Sequence, residues 1–189
     1  MGFRIAWLAT HNLERAELLG RLGLVDTGKT DSCNESAYSL TALPGGWSLI
    51  WSNDELFFTP AHLARLSEDA AILAVRVNET CMHSTAEWHE AGRLVWRVHH
   101  EGDEEINHLE VTGVPPPQLA TIDKNNRVLQ AEEDASANEV DFMFEIPLEL
   151  ARQLCGFKHD LVNEQVRFTA LASSEAVPSS NFFRRLFGR

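Results

Sequence analysis

Apolar positions along this chain recur with a period of two in several short segments and at helical spacing in a few others. Residues 3–9 form a short apolar run, the mark of a buried strand. Asn12 is placed to cap a helix with Glu14 in its first turn and Leu13, Ala16, Leu19 and Leu22 at helical spacing. Glu17 and Arg21 sit four apart on its outer side, and Gly23 stands at its end. Residues 26–37 are polar and aperiodic and are predicted as a loop. Pro44-Gly45-Gly46 then turns the chain into residues 47–52, where Trp47, Leu49 and Trp51 alternate with Ser48, Ile50 and Ser52. Thr59-Pro60 is a cap followed by proline at the first helical position and opens a short helix through Leu66. Residues 70–77 read as a well-buried strand.

The clearest local structure is a hairpin. Residues 80–88 and 93–100 flank Ala91-Gly92, a tight turn. In the second arm Leu94, Trp96 and Val98 share one face, while Arg93, Val95, Arg97 and His99 share the other. Pro115-Pro116-Pro117 breaks the chain, and Leu119, Ile122 and Leu129 suggest a helix. Residues 132–139 are acidic and read as solvated. Val140, Phe142, Phe144 and Ile146 alternate with Asp141, Met143 and Glu145, the pattern of a half-buried strand. Pro147 opens a helix that Gly156 ends, and residues 166–171 form a last weak strand. The elements mix without a regular β-α-β rhythm, which predicts an α+β fold, a mainly antiparallel sheet with several packed helices. Residues 1–172 form one domain. Residues 173–189 are a linker and a basic-aromatic C-terminal segment.

Charge changes the picture. The chain carries 16 basic and 28 acidic residues, a formal net charge of −12. Arg184, Arg185 and Arg189 lie in the last nine residues, so the remainder holds 13 basic residues against 28 acidic ones. Such a body repels nucleic acid and anionic lipid and attracts basic partners. Cys33, Cys81 and Cys155 are odd in number and far apart, which argues for a reducing compartment. The opening apolar run is too short for a signal peptide, and no stretch approaches the roughly 20 apolar residues of a membrane span. A cytoplasmic protein is expected.

Candidate chemistry begins with the histidines. If Ala91-Gly92 is a two-residue loop, Glu90 pairs with Arg93 and Trp88 with Val95. That register places His83 opposite His100, with Cys81 one step along the same face. The three residues are a candidate metal site, because zinc takes three or four such ligands. A one-residue change would separate them. His99, His100 and Asp103 form a second polar group, a histidine near a carboxylate with no nucleophile designated. His159-Asp160 reads as loop polarity, and Asn53-Asp54-Glu55 offers carboxylates at a strand end. Leu43-Pro-Gly-Gly-Trp47 is a turn without the spacing of a phosphate-binding loop. No cofactor is expected. On a helix, Phe182, Phe183, Leu186 and Phe187 would form an apolar stripe flanked by Arg184 and Arg185. The stripe suits a partner groove or an anionic membrane surface. Folded back on its own acidic body it would be better shielded, and that arrangement is favoured.

The segments at residues 2–9 (GFRIAWLA), 43–47 (LPGGW), 95–99 (VWRVH) and 146–160 (IPLELARQLCGFKHD) together resemble a family of uncharacterised bacterial proteins of similar length. The resemblance covers most of the chain to about Asp160. It implies a bacterial, cytoplasmic origin and no activity, cofactor or catalytic residue. Three functions are weighed. A non-catalytic acidic protein that binds a basic macromolecular partner, in the manner of an immunity protein against a cationic toxin, is favoured. A small metal-dependent hydrolase around Cys81, His83 and His100 is the first alternative, and a structural homo-oligomer is the second.

Overall fold

The apolar run near the N-terminus folds as the central strand, β1 (Arg4–Thr10), buried at every position but its first. The computed structural model describes residues 2–103, 105, 107–135, 140–161 and 166–175. β1 lies between β4 (Trp47–Ser52) and β5 (Ile72–Asn78). Beyond β4 come β3 (Tyr38–Leu43), β9 (Thr169–Ser173) and the edge strand β2 (Leu24–Thr30). Beyond β5 come β6 (His83–Glu90), β7 (Arg93–Glu101) and the opposite edge, β8 (Glu110–Gly113). The described strands thus make one nine-stranded sheet in which every neighbouring pair is antiparallel.

Strand alternation sends side chains to two helical layers. Ile5, Trp7 and Ala9 of β1 join Leu49, Trp51, Leu73, Val75, Trp96 and Val98 under α3 (Gln118–Asp134) and α4 (Glu145–Cys155). Ala6 and Leu8 join Leu40, Ile50, Ile72 and Ala74 under α1 (Arg15–Leu22) and α2 (Pro60–Leu66). A strand covered on both faces needs apolar residues at every position, and the sequence of β1 supplies them. The α1/α2 core takes nothing from β6, β7 or β8, so on that face the apolar layer stops at β5. This asymmetry positions the site described below.

Several local signals fold as read. Gly23 and Gly156 end α1 and α4 in the left-handed conformation, at φ 66° and 78°. Thr59 caps α2, its Oγ1 accepting from the His62 N–H at 3.2 Å. Ala91 and Gly92 both have positive φ, as a two-residue hairpin turn requires.

Others are corrected. Residues 26–30 of the expected loop belong to the edge strand β2. Its outer positions are exposed, so it needs no apolar alternation. Residues 140–146 are not a strand. Asp141 Oδ1 accepts the Phe144 N–H at 3.0 Å and starts the turn into α4, where Met143, Phe144 and Ile146 are all buried. α1 begins at Arg15 with Glu14 as its cap, while Asn12 Oδ1 faces the ring of His11. The sheet reaches Ser173, and the Ser174 N–H bonds to Gly23 O at 2.8 Å. The mixed α+β class holds, with the sheet dominant. Among the described residues no helix is long and apolar enough to cross a membrane.

Candidate functional site

The hairpin register decides where the histidines go. Glu90 pairs with Arg93 as expected, but Trp88 pairs with Trp96 and His89 with Leu94, so Val95 is an inserted, unpaired residue. One inserted residue flips every later side chain of that arm to the other face. His83 therefore lies opposite Glu101, and His100 lies opposite Ser84. His83 and His100 project to opposite faces of the sheet. Cys81 sits in the turn before β6, its Sγ 4.0 Å from Asn78 O, its thiol held above its ordinary value by burial and then by the charge of Asp103. The structure thus separates His83 from His100. Among the described residues no group of three or more His, Cys, Asp and Glu side chains is arranged to hold a metal.

His100 is part of a buried clamp. Its side chain is wholly buried; Nδ1 donates to His108 O at 2.7 Å and Nε2 lies 2.9 Å from Asp141 Oδ2. A carbonyl only accepts, so Nδ1 carries a hydrogen, and the other nitrogen is spent on the carboxylate. Neither nitrogen is left to exchange protons with a substrate. The pair fastens the end of β7 to the entry of α4, alongside Ser84 Oγ donating to Phe144 O at 2.7 Å. Asp103 is exposed, and His99 is on the other face. His159, read as loop polarity, is buried against Phe3 and Glu79, with Nε2 3.2 Å from Glu79 Oε1.

The part of the α1/α2 face beyond β5 carries the larger polar assembly. Register places Arg4, Asn78, His83 and Glu101 in one row across β1, β5, β6 and β7. The next row holds Ala6, Arg76, Thr85, His99 and Glu110, and the next Leu8, Ala74, Glu87, Arg97 and Thr112. These groups are wired to one another. Thr85 Oγ1 bridges His83 Nε2 at 3.1 Å and His99 Nδ1 at 3.0 Å. Arg97 reaches Glu110 at 3.1 Å and Glu87 at 3.9 Å, and Glu87 bonds to His89 at 2.9 Å. Burial pushes the Glu87 carboxyl up, but the bond from His89 and the charges of His89, Arg97 and Arg76 outweigh it and hold the group below its ordinary value. Arg76, half-buried, makes no ion pair or hydrogen bond among the described residues. Burial, then His99 and Arg76, hold His83 below its ordinary value.

The segment after β4 walls this surface. Asn53 and Asp54 build its turn: Asn53 Nδ2 donates to Asn34 O and Ser36 O, both at 2.7 Å, and Asp54 Oδ1 accepts from the Leu56 N–H. Glu55 turns toward the sheet and pairs with Arg4 at 2.6 Å. Between Glu55 and the sheet lies a small cavity of about 20 Å³, lined by Ala6, Phe58, Leu63, Ala74, Arg76 and Glu87 among others.

No family model, curated protein or solved structure matches the chain. The functional reading therefore rests on the geometry of this surface. Of the residues that gather there, His83, His99 and Glu55 stand out in the sequence. Arg76, Thr85 and Glu87 do not, because only the pairing of β5 with β6 brings them together. A signal was present: Arg76 interrupts an otherwise apolar strand, and an arginine there needs an open face. The C-terminal residues Phe182, Phe183, Arg184, Arg185, Leu186 and Phe187 lie outside the described residues.

Proposed function

We propose that this protein is a non-catalytic binding protein that engages a basic macromolecular partner through the polar half of its α1/α2 sheet face. The observation that carries the reading is the end of the apolar α1/α2 core at β5, beyond which β6 to β8 carry an interlinked set of charged and polar side chains on that face. An antiparallel face held by its own hydrogen bonds is preorganised for docking, and preorganisation lowers the cost of association. The net charge of −12 favours a cationic partner by steering it on approach. An immunity-type role, in which such a protein neutralises a cationic toxin, has these requirements. Cys33, Cys81 and Cys155 are free thiols, which suits a reducing cytoplasm.

The test is charge reversal on the rim of the face. Immobilised wild-type protein, D54K/E101K/E110K and an α3 control, E132K, are exposed to lysate of the source cells. Retention of a strongly basic protein by wild type and control, and its loss with the triple variant, is the expected outcome. Retention indifferent to the face, or confined to acidic proteins, would overturn the proposal.

A further inference from the structure

The small cavity at the edge of this face has a shape set by two alanines. Ala6 of β1 and Ala74 of β5 lie on the α1/α2 face where their neighbours Leu8 and Ile72 are large, so the sheet is dented there. Phe58 and Leu63 form an apolar wall over the dent, and Glu55, Arg76, Thr85 and Glu87 complete its lining. The interior of about 20 Å³ admits one water-sized group. A wider cleft of about 440 Å³, lined by Arg4, Asn53, Asp54, Glu55 and Leu56, opens beside it and shares Glu55 as a wall.

The charges are unequally satisfied. Glu55 Oε1 is taken by Arg4, but Oε2 is shielded from solvent and accepts nothing. A buried carboxylate oxygen without a donor is an incomplete arrangement. Glu87 is held by His89 and lies within 4 Å of Arg97. Within the cavity two carboxylates, Glu55 and Glu87, face one guanidinium, Arg76; the wider cleft adds Asp54 and Arg4 and leaves the same excess of one negative charge.

We propose that this cavity is the anchor site for a primary ammonium group, supplied by a lysine side chain of the basic partner. An ammonium is about the size of the water the cavity admits, and it brings three donors to carboxylate walls. The lysine stem leaves the interior past Glu55 and runs along Leu56 in the wider cleft, as such stems do on apolar surface. A guanidinium is too broad for the interior, and a carboxylate would face Glu55 and Glu87. This inference rests on the binding reading above and names its anchor.

The test uses model side chains on the intact protein and needs no partner. Two-dimensional NMR of the labelled chain is followed during titration with N-acetyl-lysine methylamide, its arginine and glutamate counterparts, and methylammonium. Saturable shifts at the Ala6, Ala74 and Thr85 amides with the lysine compound, weaker ones with methylammonium, are expected. E55Q should weaken that binding by about tenfold or more, the worth of one charge-assisted hydrogen bond. A74V, which fills the dent, should abolish it while the rest of the spectrum stays folded. No saturable shift at millimolar lysine compound, equal response to arginine or glutamate, or unchanged affinity in E55Q would overturn the anchor. Methylammonium binding as tightly as the lysine compound would overturn the lysine assignment. Failure here with a basic partner still lost on rim reversal would leave the binding reading standing.

Discussion

At the scale of single residues, two histidines one position apart in register face opposite demands. His100 has both nitrogens committed inside the core, to a carbonyl and to Asp141. Removing one member of such a buried pair leaves the other without compensation, at a cost of about 3–5 kcal/mol. D141A is expected to lose that much stability in urea denaturation. D141N, which keeps an acceptor for the Phe144 N–H, should lose less. His83 behaves differently, because burial, His99 and Arg76 depress its pKa below the ordinary 6.5, with Glu101 and Glu55 only partly offsetting them. The folded state then binds fewer protons than the unfolded one, so His83's contribution is whole above pH 6.5 and is lost as pH falls through its folded value. The urea midpoint of wild type should therefore drop more between pH 7.5 and 5.0 than that of H83Q. Equal drops would mean that His83 is not desolvated in solution.

At the scale of elements, the edge strand β8 depends on one glycine. Gly113 has φ +73°, and a Cβ there would stand 2.1 Å from Val95 O. Gly156, at φ +78°, has nothing within 4 Å of the same position. G156A should thus cost only the left-handed strain of about 1 kcal/mol. G113A adds a backbone collision and should approach about 3 kcal/mol, with faster hydrogen exchange in β7 and β8. The same contact shows why the hairpin was half legible. Its turn is local, two positive-φ residues at Ala91-Gly92, and could be read. Its bulge at Val95 lies where β8 docks from more than a dozen residues away, and nothing local announces it. β1 and β5 were legible because burial on both faces writes a continuous apolar run, whereas β3 was not read as a strand and β2 and β8 bury too little to leave a pattern. Residues 140–146 misled because turn residues buried from several sides can imitate alternation. The candidate surface was legible only in fragments, as His83, His99 and Glu55. Its floor of Ala6, Ala74 and Arg76 exists only once β1 and β5 are paired.

At the scale of the whole molecule, the charge excess makes salt act in two opposite directions. A net charge of −12 on a chain of 189 residues is self-repulsive, and that repulsion is long-ranged, reaching across about 30 Å at 0.01 M salt and about 10 Å at 0.1 M. The attractive pairs that salt would weaken are mostly superficial, such as Arg127–Asp123 and Arg152–Glu149. Exposed pairs of this kind are worth about 0–1 kcal/mol each. Repulsion among the excess carboxylates should win, so the urea midpoint is expected to rise between 0.01 and 0.3 M sodium chloride. A fall would show that local pairs outweigh the global excess and would remove the electrostatic basis of the binding reading. Association with a basic partner must respond the other way, because screening removes the attraction that guides encounter. Its rate constant should fall by about tenfold or more over the same range. Dissociation should stay nearly constant, because it is governed by groups already in contact, Glu55 among them. A salt-sensitive dissociation rate with a salt-insensitive association rate would place the recognising charges at a loose rim rather than on the sheet face.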